Sequence, residues 1–276
     1  MHKADDYFDL GETPFASLFH NVEYVWEGLK NIKSFLQNTI RPNLSGLTKN
    51  GPVLERTVVI HEDHIFLDGY ALEPGDASKG EFVVRMDGQV LKGASVLFAG
   101  AVLMNESIEI GRGTVVEPGA LIKGPAVLGD YTEVRQGAYI RGDVLVGNRC
   151  VVGHATEIKH AAMLGGSKAG HFAYIGDSIL GRVNLGAGTK LANVKINHDC
   201  INLHILGQAY ETGLRKFGAV CGDGVELGCN SVTSPGTLLG RNVLVYPNTN
   251  ARGFHPSGTI VKLKQNQVIL KKRKDR

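Results

Sequence analysis

Across 276 residues the chain carries 21% charged and 43% hydrophobic residues, a globular balance that excludes intrinsic disorder. No run of about 18 apolar residues occurs, so no membrane span is expected, and the acidic opening MHKADDYFDLGE does not read as a secretory signal. The net charge of +3 conceals a basic stretch, KLKQNQVILKKRKDR over 262–276, which carries +6 and leaves −3 for the rest, so the body is not a nucleic-acid surface.

In chain order, residues 13–40 place Phe15, Leu18, Phe19, Val22, Val25, Trp26, Leu29, Ile32 and Leu36 at helical spacing. With Thr13-Pro14 as a start and Arg41-Pro42 as a stop, they predict one amphipathic helix packed on the body. Residues 53–72 predict a hairpin or two short strands, VLERTVVI and IFLDGYAL around the polar corner HEDH, and the Pro- and Gly-bearing stretch 72–80 predicts a loop. Cys150, Cys200, Cys221 and Cys229 have neither zinc nor disulfide-framework spacing, which fits free thiols in a reducing cytoplasm.

The dominant feature is a period of six. Ile110, Val116, Ile122, Leu128, Val134, Ile140, Val146, Val152, Ile158 and Leu164 follow it without exception, with small residues four positions after most of them. Val90, Val96 and Val102 share the period, and later units restart at Ile179, Leu185 and Leu191, then at Leu227, Leu239 and Val245. Six fits neither an α-helix nor a simple hairpin sheet, but it fits a parallel β-helix with three hexads per coil. The fold class expected is therefore mainly β, a parallel β-helix with an N-terminal α-helical segment. The chain divides into a helical segment (1–50), short connecting strands (51–89), the β-helix (90–261) and the basic tail (262–276).

Residues 18 apart then stack on one face, about 4.8 Å apart. Arg141 and Lys159 are such a pair, and two stacked cations invite an anion such as phosphate; two side chains diverging into solvent is the alternative. From Leu164 to Ile179 the phase breaks, which predicts a loop protruding near 165–173 that carries His171 beside Tyr174. A histidine there has the pKa range of a general base.

The stretches EIK (157–159), GSKAGHFAYIGD (166–177) and VNLGAGT (183–189) resemble the acetyltransferase half of the bifunctional enzyme that acetylates and uridylylates glucosamine-1-phosphate. The register is free of gaps from Arg141 to Asn193. The resemblance implies a left-handed coil, a homotrimer with sites between subunits, and acetyl-CoA as donor for N-acetylation of an amino-sugar-1-phosphate. It makes His171 the base and Arg141, Lys159, Tyr174, Asn184 and Asn193 the acceptor-binding residues, and it puts Ala187 and Cys229 on the coenzyme A side. TGLRKFG (212–218) resembles a branch of sugar-phosphate nucleotidylyltransferases and stand-alone relatives, so Arg215 and Lys216 would meet a phosphate of acceptor or coenzyme A. Tyr246 and Pro247 depart from the small residues of the bifunctional enzyme near its coenzyme A channel. The Gly-rich nucleotide loop of the uridylyl half is missing from residues 1–100, so uridylylation is not expected.

A second class stays open: a non-catalytic sugar-phosphate or sugar-nucleotide binding subunit. A three-histidine metal site built on His154, His160 and His171 is disfavoured, because residues six apart fall on different faces. No metal is expected for acyl transfer.

Overall fold

Short strands of two to four residues alternate with tight corners from Ser95 to Val261 and wind a left-handed parallel β-helix with three flat faces. The computed structural model describes residues 2–49, 51–62 and 64–271; the end of the basic tail lies outside them. Among the described residues the coil strands build an 11-stranded and two 8-stranded sheets, in which every third strand of the coil is a neighbour, the inserted hairpin being skipped and an antiparallel pair opening the first sheet. The inward column of the second face runs Leu103, Ile122, Ile140, Ile158, Ile175 and Leu191, all fully buried. A coil of this kind buries one aliphatic side chain per strand and turns at residues with positive φ. Gly137 (φ 72), Ala155 (φ 50) and Phe172 (φ 54) do this at one corner.

The phase differs from the expected one in a specific way. Val134 stacks on Val152 and Ile140 on Ile158, both 18 apart. Val146 then stacks on Met163, and Val152 on Ala169, both 17 apart. The turn after Ala155 falls at His160 (φ 42), one residue early, so Met163 rather than Leu164 points inward. A second short step at Asp177 (φ 47) makes Leu180, not Ile179, the inward residue and leaves the next coil 16 long, with Tyr174 on Lys190. No loop protrudes over 165–173: Lys168–His171 is a strand in register with Val151–His154. The repeat breaks by losing residues, not by inserting them. The true insertion follows Asn193, where an antiparallel hairpin, Asn202–Ile205 with Gln208–Glu211, leaves the wall before Val220 resumes the stack on Ile179.

The third face carries an outward apolar column, Leu145, Ala162, Ile179, Val220 and Leu238, which solvent never reaches because residues 4–36 cover it. This covering arm is not the single helix that spacing predicts for 13–40. Ala16–Phe19 and Val25–Glu27 are 3-10 turns, the chain reverses at Asn21 (φ 59), and the α-helix is Gly28–Thr39. Helix entry at Gly28 needs a glycine, since a Cβ would stand 2.8 Å from the Phe19 ring. The arm must follow a flat sheet rather than a groove, and short turns do that better than one rod. The predicted hairpin forms, Val58–His61 against His64–Phe66, and the first of these strands joins Ser95–Leu97 at the start of the first face. Tyr70–Glu73 instead pairs with Val83–Met86, and Ala77–Lys79 between them is a 3-10 turn.

Candidate active site

The corner between the first and second faces is built by a ladder of backbone bonds. Phe172 N donates to His154 O (2.8 Å), Gly188 N to His171 O (3.0 Å), Asn230 N to Ala187 O (2.8 Å) and Asn248 N to Cys229 O (3.0 Å). His154, His171, Ala187, Cys229 and Pro247 thereby form one column, one residue per coil. His171, Ala187 and Cys229, assigned to base and coenzyme from separate parts of the sequence, occupy consecutive rungs. The residue before each of the first four is glycine: 153, 170, 186 and 228; Tyr246 precedes Pro247. A Cβ on Gly186 would lie 2.6 Å from Cys229 N, whereas one on Gly170 would meet nothing within 4 Å, so open space fronts His171.

His171 is exposed at the end of its strand, and its ring makes no hydrogen bond among the described residues. Its ring centre lies 6.2 Å from that of Phe172. Phe172 is 55% exposed, an unusual display for phenylalanine, and stands edge-on to His154 at 5.2 Å. His154 is held by Nδ1 at 2.9 Å from Gln136 O.

Around the corner, the second face carries the predicted acceptor residues. Arg141 and Lys159 do stack in successive coils, but neither is a bare cation. Arg141 Nη1 lies 2.5 Å from Glu157 Oε1, and Lys159 Nζ 3.0 Å from Asp177 Oδ2. The expected repulsion that an anion must relieve is therefore absent, because carboxylates already relieve it. Asp177 also accepts from Asn193 Nδ2 (2.5 Å), and Tyr174 Oη donates to Asn193 Oδ1 at 3.4 Å. Lys159, Tyr174, Asp177 and Asn193 are thus one connected group.

Gly176 makes this group possible. It stacks on Lys159, and a Cβ there would stand 2.6 Å from Tyr174 Oη and 2.8 Å from Asn193 Nδ2. Burial, then the charges of Glu157 and Asp177, push the Tyr174 phenol above its ordinary range, so it stays a hydrogen-bond donor. Next to Lys159, burial holds the His160 imidazole below its ordinary pKa against the opposing pull of Asp177 and Asp143. His160 Nδ1 is 3.7 Å from Asp143, which also meets Lys33 of the covering helix at 3.6 Å.

Other predicted residues stand apart. Asn184 is exposed on the first face between Lys168 and Glu226, and its Nδ2 donates to Glu226 Oε2 at 2.9 Å. Arg215 and Lys216 are exposed beyond the hairpin without an ion pair among the described residues; the adjoining Phe217 N donates to Asn193 O (2.9 Å). Sequence reasoning missed Glu157, Gly176 and Asp177. A signal existed for Asp177: it lies 18 after Lys159, the spacing that linked Lys159 to Arg141. Among the described residues no group of three or more His, Cys, Asp or Glu is placed to hold a metal ion, and no helix is long and apolar enough to cross a membrane.

No protein-family model matches the chain. Among solved structures, perosamine N-acetyltransferase from Caulobacter crescentus aligns over 58% of this chain and 53% of its own, with 19% identity and a TM-score of 0.27. A bifunctional sugar-1-phosphate nucleotidylyltransferase/acetyltransferase from Sulfurisphaera tokodaii is 37% identical over 83 residues, 30% of this chain and 21% of that protein. The bifunctional protein GlmU from Methanococcus vannielii is 34% identical over 108 residues, 39% of this chain and 26% of that protein. Over these stretches the chain is a homologue of the bifunctional GlmU-type proteins, and it spans 21% and 26% of the length of these two.

Proposed function

We propose that the protein is a hexapeptide-repeat acyltransferase that moves an acetyl group from acetyl-CoA to the amine of an amino-sugar-1-phosphate or related sugar nucleotide. The observation that carries this reading is the single corner column His171, Ala187, Cys229, with the Lys159–Tyr174–Asp177–Asn193 group on the adjoining face. The sequence similarity to proteins named as acetyltransferases supports it.

An amino-sugar amine is largely protonated near neutral pH and must lose a proton before its lone pair attacks the thioester carbon. The unpaired imidazole of His171 takes that proton. Addition leaves a second excess proton on the nitrogen, which is released to solvent; the carbon–sulfur bond of the tetrahedral intermediate breaks, and the proton held by His171 passes to the leaving thiolate, which departs as free coenzyme A. Such a base contributes about 10²–10⁴ in rate. Tyr174 and Asn193 orient the sugar hydroxyls, with Asn193 toward the acyl end, and Asn184 marks the outer edge of the site. Arg141 and Lys159 contribute to acceptor binding as paired groups. Ala187, Cys229, Arg215 and Lys216 line the donor side. Phe172 and the bare corner suit closure by a neighbouring copy, so we read the active form as a cytoplasmic homotrimer.

One observation favours the binding-subunit reading: Pro247, preceded by the exposed Tyr246, continues the column past Cys229 and puts bulkier residues at the donor end than the small ones below. Free-thiol release from acetyl-CoA in the presence of glucosamine-1-phosphate decides between them. Release that requires the sugar and falls at least about 10²-fold in His171→Ala supports acyl transfer. No release with any amino-sugar phosphate, alongside a sugar-phosphate-induced rise in melting temperature without coenzyme A, would leave the binding subunit.

A further inference from the structure

A large groove lies apart from the corner site. It lies where the second face turns into the third, between the inserted hairpin and the last coils, and encloses about 740 Å³. That is the size of a small-molecule site rather than an ion site. Its mouth carries Lys195, His204 and Arg252, and no carboxylate lines it. Its base is lined by Phe254, which is half-buried, over the buried side chains of Leu203, Ile205 and Leu238.

We propose that this groove binds a nucleoside phosphate. Ser234 and Arg252 each follow an inward residue of the second face, Thr233 and Ala251, as Arg141 follows Ile140 and Lys159 follows Ile158. All four belong to one outward column. Arg141 and Lys159 are neutralised by Glu157 and Asp177, whereas Arg252 at the groove, like Lys123 at the far end of the column, is exposed with no ion pair among the described residues. Arg252 therefore brings unpaired positive charge to the groove. Lys195 is fixed beside it, with Nζ donating to Cys200 O at 2.9 Å.

The wall is built rather than draped. Tyr210 of the hairpin stands edge-on to Tyr24 (5.4 Å), Trp26 (5.8 Å) and His2 (6.1 Å) of the covering arm. Gly236 (φ 77) lets Ile201 and Leu203 approach to where a Cβ would be only 2.7 Å away. Cations above an apolar floor suit a phosphate joined to a flat base, and a bare phosphate would leave most of the volume and the floor unused.

Two molecules offer this chemistry: a sugar-nucleotide acceptor and the phosphoadenosine end of coenzyme A. Naming the source rests on the acyl-transfer reading; the binding itself does not. Calorimetric titration of the full chain with UDP, ADP, coenzyme A and inorganic phosphate tests it without turnover. At least one of the first three binds more tightly than phosphate, Arg252→Ala weakens it by at least roughly 10-fold, and Arg252→Lys recovers part of the loss. UDP binding marks an acceptor site; binding confined to coenzyme A and ADP marks the donor. Absence of binding by all three at millimolar concentration overturns the proposal. So does binding that neither Arg252→Ala nor Lys195→Ala affects, or phosphate binding as tight as that of the nucleotides. Nucleotide binding with no thiol release for any acceptor would sink acyl transfer and leave the groove standing.

Discussion

Replacing Asp177 with asparagine removes a charge while keeping the side chain's shape. The backbone there (φ 47) suits asparagine, one of the residues that enters the left-handed region most readily. The Asp177 side chain is 6% exposed and faces Lys159, which is 19% exposed. Removing one partner of a buried pair costs about 3–5 kcal/mol. Lys159 keeps some access to water and the asparagine oxygen still accepts its proton, which lowers the expected cost to about 2 kcal/mol. For a chain of this size that is a fall of roughly 4–8 °C in melting temperature. Lys159→Met made on top of Asp177→Asn removes the stranded ammonium and recovers about 1–2 kcal/mol as coupling in a double-mutant cycle. Urea unfolding of the wild type, both single variants and the double variant, followed by circular dichroism, gives the four numbers. Simple additivity of the two substitutions would refute the view that Lys159 is held mainly by Asp177 and would restore it as a free phosphate ligand.

Two further outcomes follow from neighbouring features. Burial lowers the pKa of His160 and of His255, so the folded state binds fewer protons than the unfolded one just below the ordinary histidine value. Stability is therefore complete above about pH 6.5 and declines as pH falls through the lowered folded values, by at most about 1.4 kcal/mol per unit for each group. Urea midpoints at pH 7.5 and 5.5 should differ less in His160→Gln than in the wild type; an unchanged difference would remove His160 as a contributor. Gly236→Ala, which strains a positive φ and drives a methyl into Ile201 and Leu203, loosens the hairpin; limited proteolysis should then cut within 194–217 at a protease level that spares the wild type. Equal resistance would mean that the hairpin is anchored by the aromatic cluster alone.

The period of six was enough to derive the coil, its inward residues from Ile110 to Ile158, and the placement of Arg141 and Lys159 on one face; at Val96 and Val102 it was one residue early, since Leu97 and Leu103 point inward, and Val90 is exposed. It misled at Leu164 and Ile179 for a physical reason, while Leu185, Leu191, Leu227, Leu239 and Val245 do point inward. In Ala161-Ala162-Met163-Leu164 every residue is apolar, because one set fills the coil interior while the other lies beneath the covering arm. Where both sides of a wall are dry, hydrophobicity no longer reports which side a residue faces, and the one-residue step at His160 leaves no trace. The N-terminal stripe misleads in the same way: Phe15, Leu18 and Phe19 are buried, but a flat apolar sheet accepts them from 3-10 turns as readily as from a helix. The site was visible as a set of residue types and largely invisible as a network. Charge spacing exposes Arg141 over Lys159, but their pairing with Glu157 and Asp177 depends on side-chain reach across coils.

The covering arm also sets an order of events. Its first residues are fixed by some of the last coils: Asp9 N donates to Asp223 Oδ2 (2.7 Å), and Arg241 Nη2 to Asp5 O (3.0 Å), contacts 214 and 236 residues apart in the chain. A ribosome makes this arm before the surface on which it rests exists. The coils can stack one on another as they emerge, each needing only its predecessor, while Leu145, Ala162 and Ile179 stay bare until Val220 and Leu238 extend the surface. Docking of the arm is then the closing step of folding. Until it happens the nascent chain presents a growing apolar strip, the stage at which it is most vulnerable to aggregation and most in need of a chaperone.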